Sequence, residues 1–247
     1  MISRTIHNLL NRSIPRGLRE ALRQLAISAI PSMRHLDMWT RLRQLAEVGF
    51  NPKMIYDIGA SQGLWARSAM RVWPAAQVVG FEPNLSRKES LNRLATESPR
   101  FRFFSCFLGA QEQVVEYSDQ GDQTSLYLEG REKASTAPMR QLDSLVVKES
   151  LPLPDFIKLD VQGAELEVLK GGSKTVEHAE VILAEVSLYR LRKDMPTALE
   201  LWSWLDSKGF ALYDVLSMLR REKDDALVQM DFLFVRRTSP LYRDAWE

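Results

Sequence analysis

The chain has 247 residues, 45% of them hydrophobic and 26% charged, with a formal net charge of +1. That length and balance suit one α/β domain with an appendage, and the near-neutral charge excludes a global drive towards nucleic acid or anionic membrane. A lone cysteine, Cys106, excludes an intrachain disulfide and fits a reducing, cytoplasmic compartment, and no apolar run approaches the ~20 residues of a membrane span.

The charge is unevenly placed. Residues 1–36 hold Arg4, Arg12, Arg16, Arg19, Arg23 and Arg34 against Glu20 alone, interleaved with Leu9, Leu10, Ile14, Leu18, Leu22, Leu25 and Ile30. This pattern suits a peripheral contact with the inner membrane surface or a homodimer contact through short helices, and it also resembles a transit peptide. A helical extension packed on its own domain is the plainer account. Leu36, Trp39, Leu42, Leu45 and Ala46 then form a helical stripe closed by Gly49 and Pro52. The expected division is a helical extension over 1–50 and a larger domain over 51–247.

Within that domain the patterning predicts strands at 53–58, 77–82, 101–106, 155–160, 180–186, 209–215 and 227–235. Helices are predicted near 62–73, 84–97, 163–171 and 196–208. The alternation argues for a mostly parallel sheet with helices on both faces. The last two strands are separated by too short a segment for a helical crossover, so they should pair as an antiparallel edge hairpin. An insertion over 107–154 carries short alternating runs (Gln113 to Tyr117, Ser125 to Leu128, Met139 to Val146) and is expected at the carboxyl edge of the sheet, over the site.

The turn Tyr56-Asp57-Ile58-Gly59-Ala60-Ser61-Gln62-Gly63 lies between the first strand and helix, and the second strand ends in Glu82-Pro83-Asn84. Strand, glycine turn, helix, strand and terminal acid suit a nucleoside cofactor, because glycine admits close backbone approach and the acid receives ribose hydroxyls. The Gly-x-x-x-Gly spacing disfavours a pyrophosphate turn. It favours S-adenosylmethionine, an adenosine without phosphate.

The fourth strand reads Asp155-Phe156-Ile157-Lys158-Leu159-Asp160 and runs into Val161-Gln162-Gly163-Ala164-Glu165. With these residues, Gly49-Phe50-Asn51-Pro52, Tyr56 to Gly63, Phe81-Glu82-Pro83-Asn84, Gln141-Leu142-Asp143 and Ile157 to Gly171 together resemble the FkbM family of S-adenosylmethionine-dependent methyltransferases, over about residues 49–235. Gln162 departs from the glutamate common at that position in the family. The resemblance implies the class I methyltransferase (Rossmann-like) fold, an α/β seven-stranded mostly parallel sheet with an antiparallel edge hairpin. It implies O-methylation of a sugar, glycan or glycolipid hydroxyl, with carboxylates and small natural products as other acceptors, and a non-catalytic cofactor-binding scaffold as the non-enzymatic rival. It places the cofactor against Asp57, Gly59, Ala60, Ser61, Gly63, Glu82, Pro83, Asn84, Leu108, Gly109, Ser125, Asp160 and Val161.

The three histidines, His7, His35 and His178, are poorly placed to act as base, so a carboxylate is favoured: Asp160 or Glu185, brought to one edge by adjacent parallel strands. Lys158, inside a strand, needs a partner: it either orients one of these carboxylates in the catalytic site or serves as an internal ion-pair partner. Two acids make an incomplete oxygen set for a divalent cation, which leaves any metal requirement open. Cys106 reads as a small buried apolar residue.

Overall fold

The computed structural model describes residues 37–120, 123–125, 135–190, 195–221 and 223–243. The expectations for residues 1–36 lie outside them. In chain order the elements are α1 (Met38–Glu47), β1 (Met54–Ile58), α2 (Leu64–Val72), β2 (Gln77–Phe81), α3 (Lys88–Glu97), β3 (Phe101–Phe104), β4 (Phe107–Leu108), β5 (Gln113–Gln120), β6 (Gln123–Ser125) and β7 (Ser135–Arg140). There follow α4 (Leu142–Lys148), β8 (Phe156–Leu159), α5 (Glu165–Gly171), α6 (Ser173–His178), β9 (Val181–Ser187), α7 (Ala198–Ser207), β10 (Phe210–Arg220) and β11 (Leu227–Arg236).

The main sheet runs β10-β11-β9-β8-β1-β2-β3. Five strands are parallel; β11 pairs antiparallel with both β9 and β10, giving the expected edge hairpin. Period-two alternation sorts the side chains onto two faces. On one, Tyr56, Ile58, Ile157, Leu159, Ile182 and Phe234 pack beneath α4, α5, α6 and α7 through Leu145, Val168, Val176 and Leu201. On the other, Ile55, Val78, Phe156, Leu183 and Leu233 meet α1, α2 and α3 through Leu42, Ala69 and Leu94. Leu42 and Leu45 bury α1 in this second core, so that helix is built into the domain although it precedes residue 51.

The insertion forms a second sheet in the order β4-β7-β5-β6, joined by Phe107, Tyr117 and Met139. One sequence expectation is corrected here. The run from Met139 to Val146 is not a single strand, because Leu142, Leu145 and Val146 share a helical face and are buried in α4. Asp143 accepts from Lys174 N (3.0 Å) and from Thr175 N and Oγ1 (2.8 and 2.7 Å), fastening α6 to α4. Gln141 Nε2 donates to Ala110 O at 2.6 Å. The Gln141-Leu142-Asp143 motif is thus explained by packing.

Candidate active site

At the carboxyl edge of the sheet, the second core's apolar rows give way to polar ones. One side-chain step beyond Ile55 stands Asp57, beyond Phe156 stands Lys158, and beyond Leu183 stands Glu185. β11 runs the other way, so the step from Leu233 leads to Asp231, which pairs with Glu185 across the ladder. Four strands therefore deliver charged groups to one face.

Two loops meet above them. Gly59 adopts φ +81°, and a Cβ there would stand 1.9 Å from Asp160 O, so only glycine lets the turn after β1 approach the turn after β8. Gly63 (φ +76°) opens α2 against Leu94, and buried Ala60 packs on the Gly80 backbone. Ser61, at φ 47°, points its N–H to Glu82 Oε2 at 2.7 Å, and Asn84 N reaches Glu82 Oε1 at 2.9 Å. Asn84 is buried and its side chain accepts from Ser86 N, while Pro83 is half-buried between them. Glu82 is held by two backbone donors, and each oxygen keeps a lone pair for a hydroxyl. Burial pushes its pKa up, opposed by those same N–H groups.

Asp57 is 0% exposed; the Ala66 backbone N–H and the Lys158 ammonium face its oxygens without forming a well-aligned hydrogen bond. The Lys158 ammonium, 3.2 Å from Oδ1, supplies its counter-charge. Burial raises the Asp57 pKa, and Lys158 opposes the rise. Lys158 Nζ also donates to Gly59 O at 2.9 Å and lies 3.4 Å from Asp160 Oδ2. Burial disfavours its charge, but Asp57 and Asp160 outweigh that and hold its pKa above the ordinary lysine value. Lys158 is a fixed cation that organises two acids, and it is no proton acceptor.

Asp160, 41% exposed at its side chain, accepts from Gln162 Nε2 at 3.1 Å; the same nitrogen donates to Glu185 Oε2 at 3.1 Å. Gln162, with φ 56°, bridges the two acids. A glutamate there would add a third negative charge, whereas the amide supplies donors to both. Glu185 is pushed up to about 8, chiefly by burial and then by Asp160, Asp231 and Glu165, against Lys158. Asp231 is also raised, first by burial, and accepts from Ser217 Oγ on β10. Glu165 folds back to accept from Val161 N (3.2 Å) and Gly163 N (3.0 Å), which fixes the turn.

The structure brings Asp57, Gly59, Ala60, Ser61, Gly63, Glu82, Pro83, Asn84, Lys158, Asp160, Val161 and Glu185 around the two loops. Leu108 is buried in the first core, against which Val161 also packs, and Gly109 packs on Met139 and on the Gly171 backbone. Ser125 falls within β6, and its side chain lies outside the described residues. Cys106 is buried and its thiol is pushed up to about 12, first by burial. Asp231 and Ser217 are additions that the motifs did not mark. A lone acid in the apolar run Leu227–Arg236 was the available signal for Asp231.

This sheet order, with its glycine turn and ribose-type acid, defines a class I methyltransferase fold. The match to the methyltransferase FkbM domain over residues 57–212 makes the assignment specific, and the chain belongs to the FkbM family of S-adenosylmethionine-dependent methyltransferases. It is similar to the hexuronic acid methyltransferase AglP of Haloferax volcanii, at 27% identity over 59% of this chain and 60% of that protein. It is also similar to the 2-O-methyltransferase NoeI of Sinorhizobium fredii, at 26% over 54% and 63%. The chain thus spans less than two thirds of the length of either relative. The crystal structure of methyltransferase FkbM from Methylobacillus flagellatus KT shares the fold, with TM-score 0.50 and 21% identity over 74% of this chain and 43% of that one.

Proposed function

We propose that the chain methylates a hydroxyl group of a sugar, glycan or glycolipid intermediate. The observation that carries this reading is the acid pair Asp160–Glu185, joined by Gln162 and placed beside a turn fit for the cofactor. The fit rests on two features of the site. Asp57 offers buried oxygens that lack aligned donors, suited to the cofactor's ammonium, and Glu82 is fixed by two backbone N–H groups with lone pairs left for a ribose diol. When bound, S-adenosylmethionine supplies an electrophilic methyl group on sulfonium.

The chain's own residues supply the rest. A hydroxyl attacks a methyl carbon well only as its proton leaves, and a base with a pKa near the working pH removes that proton most effectively. Glu185, at about 8, has that property. Asp160, the more exposed of the two, orients the hydroxyl, and Lys158 keeps Asp57 and Asp160 in place. The names of the two relatives, a hexuronic acid methyltransferase and a 2-O-methyltransferase, support a sugar acceptor. For residues 1–36 we propose a peripheral membrane or homodimer contact; among the described residues no helix is long and apolar enough to cross a membrane.

The test is transfer of labelled methyl from S-adenosylmethionine to panels of neutral sugars, acidic sugars and small carboxylic acids. An alkali-stable ether whose formation needs Glu185 supports the reading. An alkali-labile ester whose formation survives Glu185→Gln points to a carboxylate acceptor, which needs no base. Binding of cofactor without transfer to any acceptor points to a scaffold.

A further inference from the structure

Two polar groups near Lys158 are buried without well-aligned hydrogen bonds among the described residues, and they are of opposite kind. Asp57 is an acceptor faced by the Lys158 ammonium and the Ala66 N–H with lone pairs left over, and the Trp65 indole Nε1 is a donor with no acceptor among the described residues. A buried unpaired polar group is costly enough that it calls for an explanation. Trp65 stands in the first turn of α2, two residues after Gly63, and its ring is fixed on two sides, 5.7 Å from the Trp39 ring and 5.7 Å from the Phe156 ring. Lys158 Nζ lies 5.9 Å from the Trp65 ring centroid and 3.2 Å from Asp57 Oδ1, so the ammonium connects the two unpaired groups.

A ligand that answers both offers a donor and an acceptor close together, and beside the Asp57 carboxylate and the Lys158 ammonium the strongest pair is a cation and an anion. An α-amino acid does so on one carbon. The negative charge has support there, because the α2 N-terminus has no side-chain cap and the helix dipole favours an anion. Lys158 adds positive charge but few free donors, since Nζ is already engaged by Gly59 O, Asp57 and Asp160. The hydrogen bond to the anion must come from another group, and the Trp65 N–H is the unused one.

Resting on the cofactor assignment above, we propose that Trp65 Nε1 donates a hydrogen bond to the α-carboxylate of the methionine end of S-adenosylmethionine, while Asp57 receives its α-ammonium. Trp65 is then a cofactor-binding residue, and its rings of contact with Trp39 and Phe156 set the direction of its N–H.

Trp65→Phe removes the donor and keeps one aromatic ring against Trp39 and Phe156; any effect of the lost indole surface falls equally on both ligands tested. Calorimetric titration should be run with S-adenosylhomocysteine and with its decarboxylated analogue, which keeps the amine and lacks the carboxylate. Hydrogen bonds to charged groups predict about tenfold weaker binding of S-adenosylhomocysteine to the variant and unchanged binding of the analogue. In the wild-type protein, the Trp65 indole N–H resonance should move downfield with S-adenosylhomocysteine and stay in place with the analogue. Equal losses for both ligands would show Trp65 acting through packing and overturn the proposal, as would no loss for either or an unmoved indole resonance. Failure of the wild-type protein to bind S-adenosylhomocysteine would instead sink the cofactor assignment itself, and this inference with it.

Discussion

Replacing Glu185 by glutamine should stabilise the ligand-free domain above pH 5, and more so as the pH rises. In the unfolded chain this carboxyl titrates near 4.5, whereas in the folded protein it holds its proton to about 8. Between those values the folded state binds one more proton than the unfolded state. Stability from the protonated carboxyl is therefore complete below 4.5 and is lost as pH rises through 8, at about 1.4 kcal/mol per pH unit. Full linkage would amount to roughly 5 kcal/mol by pH 8.5; water at the half-buried carboxyl screens it, and about 2–3 kcal/mol is the expected size. The groups that face Glu185 set this balance. Asp160, Asp231 and Glu165 oppose its charge, Lys158 favours it, and Gln162 Nε2 donates to it.

Glutamine keeps the shape and stays neutral at every pH, so it locks in the low-pH condition. Urea unfolding at pH 5 should give nearly equal stabilities for the two proteins. At pH 8.5 the variant should be more stable by those 2–3 kcal/mol, or by about 5–10 °C in Tm. A variant that is equally or less stable at pH 8.5 would mean that Glu185 is ionised and well paired at neutral pH, which refutes both the charge-cluster account and its role as a tuned base. In turnover the same substitution should lower kcat about 100-fold or more, the usual share of a general base.

Three other outcomes are expected. Glu82→Ala should weaken S-adenosylhomocysteine binding by at least tenfold in calorimetry and also destabilise the fold by about 1–3 kcal/mol, because Ser61 N and Asn84 N lose their acceptor; unchanged affinity would remove Glu82 from the ribose site. Asp160→Asn should bind cofactor nearly normally and lose turnover, because the exposed carboxylate that orients the hydroxyl is gone; surviving turnover would remove Asp160 from that role. Deleting residues 1–36 should abolish flotation with anionic vesicles or shift the mass seen by light scattering, and a truncated protein unchanged in both would end the docking role drawn from the arginines.

The fold was legible because its signals are local. Each parallel strand is a short apolar run bounded by turn residues, and the segment from Leu216 to Ala226 between the last two expected strands is too short for a helix, which called for the hairpin; in the fold β10 continues through it to Arg220. The glycine turn and the strand that ends at Asp160 were legible for the same reason. Where the sequence misled, a local pattern had two readings. The run from Met139 to Val146 alternates like a strand until Gln141, and only burial of Leu142, Leu145 and Val146 on one helical face separates the two elements.

The acceptor side of the site was harder to read, because its residues are brought together by pairing across the sheet. Asp231 lies 46 positions beyond Glu185, yet the antiparallel register sets them opposite each other and puts Ser217 beside them. No spacing in the chain encodes that meeting. The departure at Gln162 shows the same limit from another direction. Read alone, it is a lost charge beside the site. In the fold, its amide nitrogen stands between Asp160 and Glu185, where a carboxylate would repel both. An amide at that position lets two acids share one edge while Glu185 keeps the raised proton affinity that a base for a hydroxyl requires.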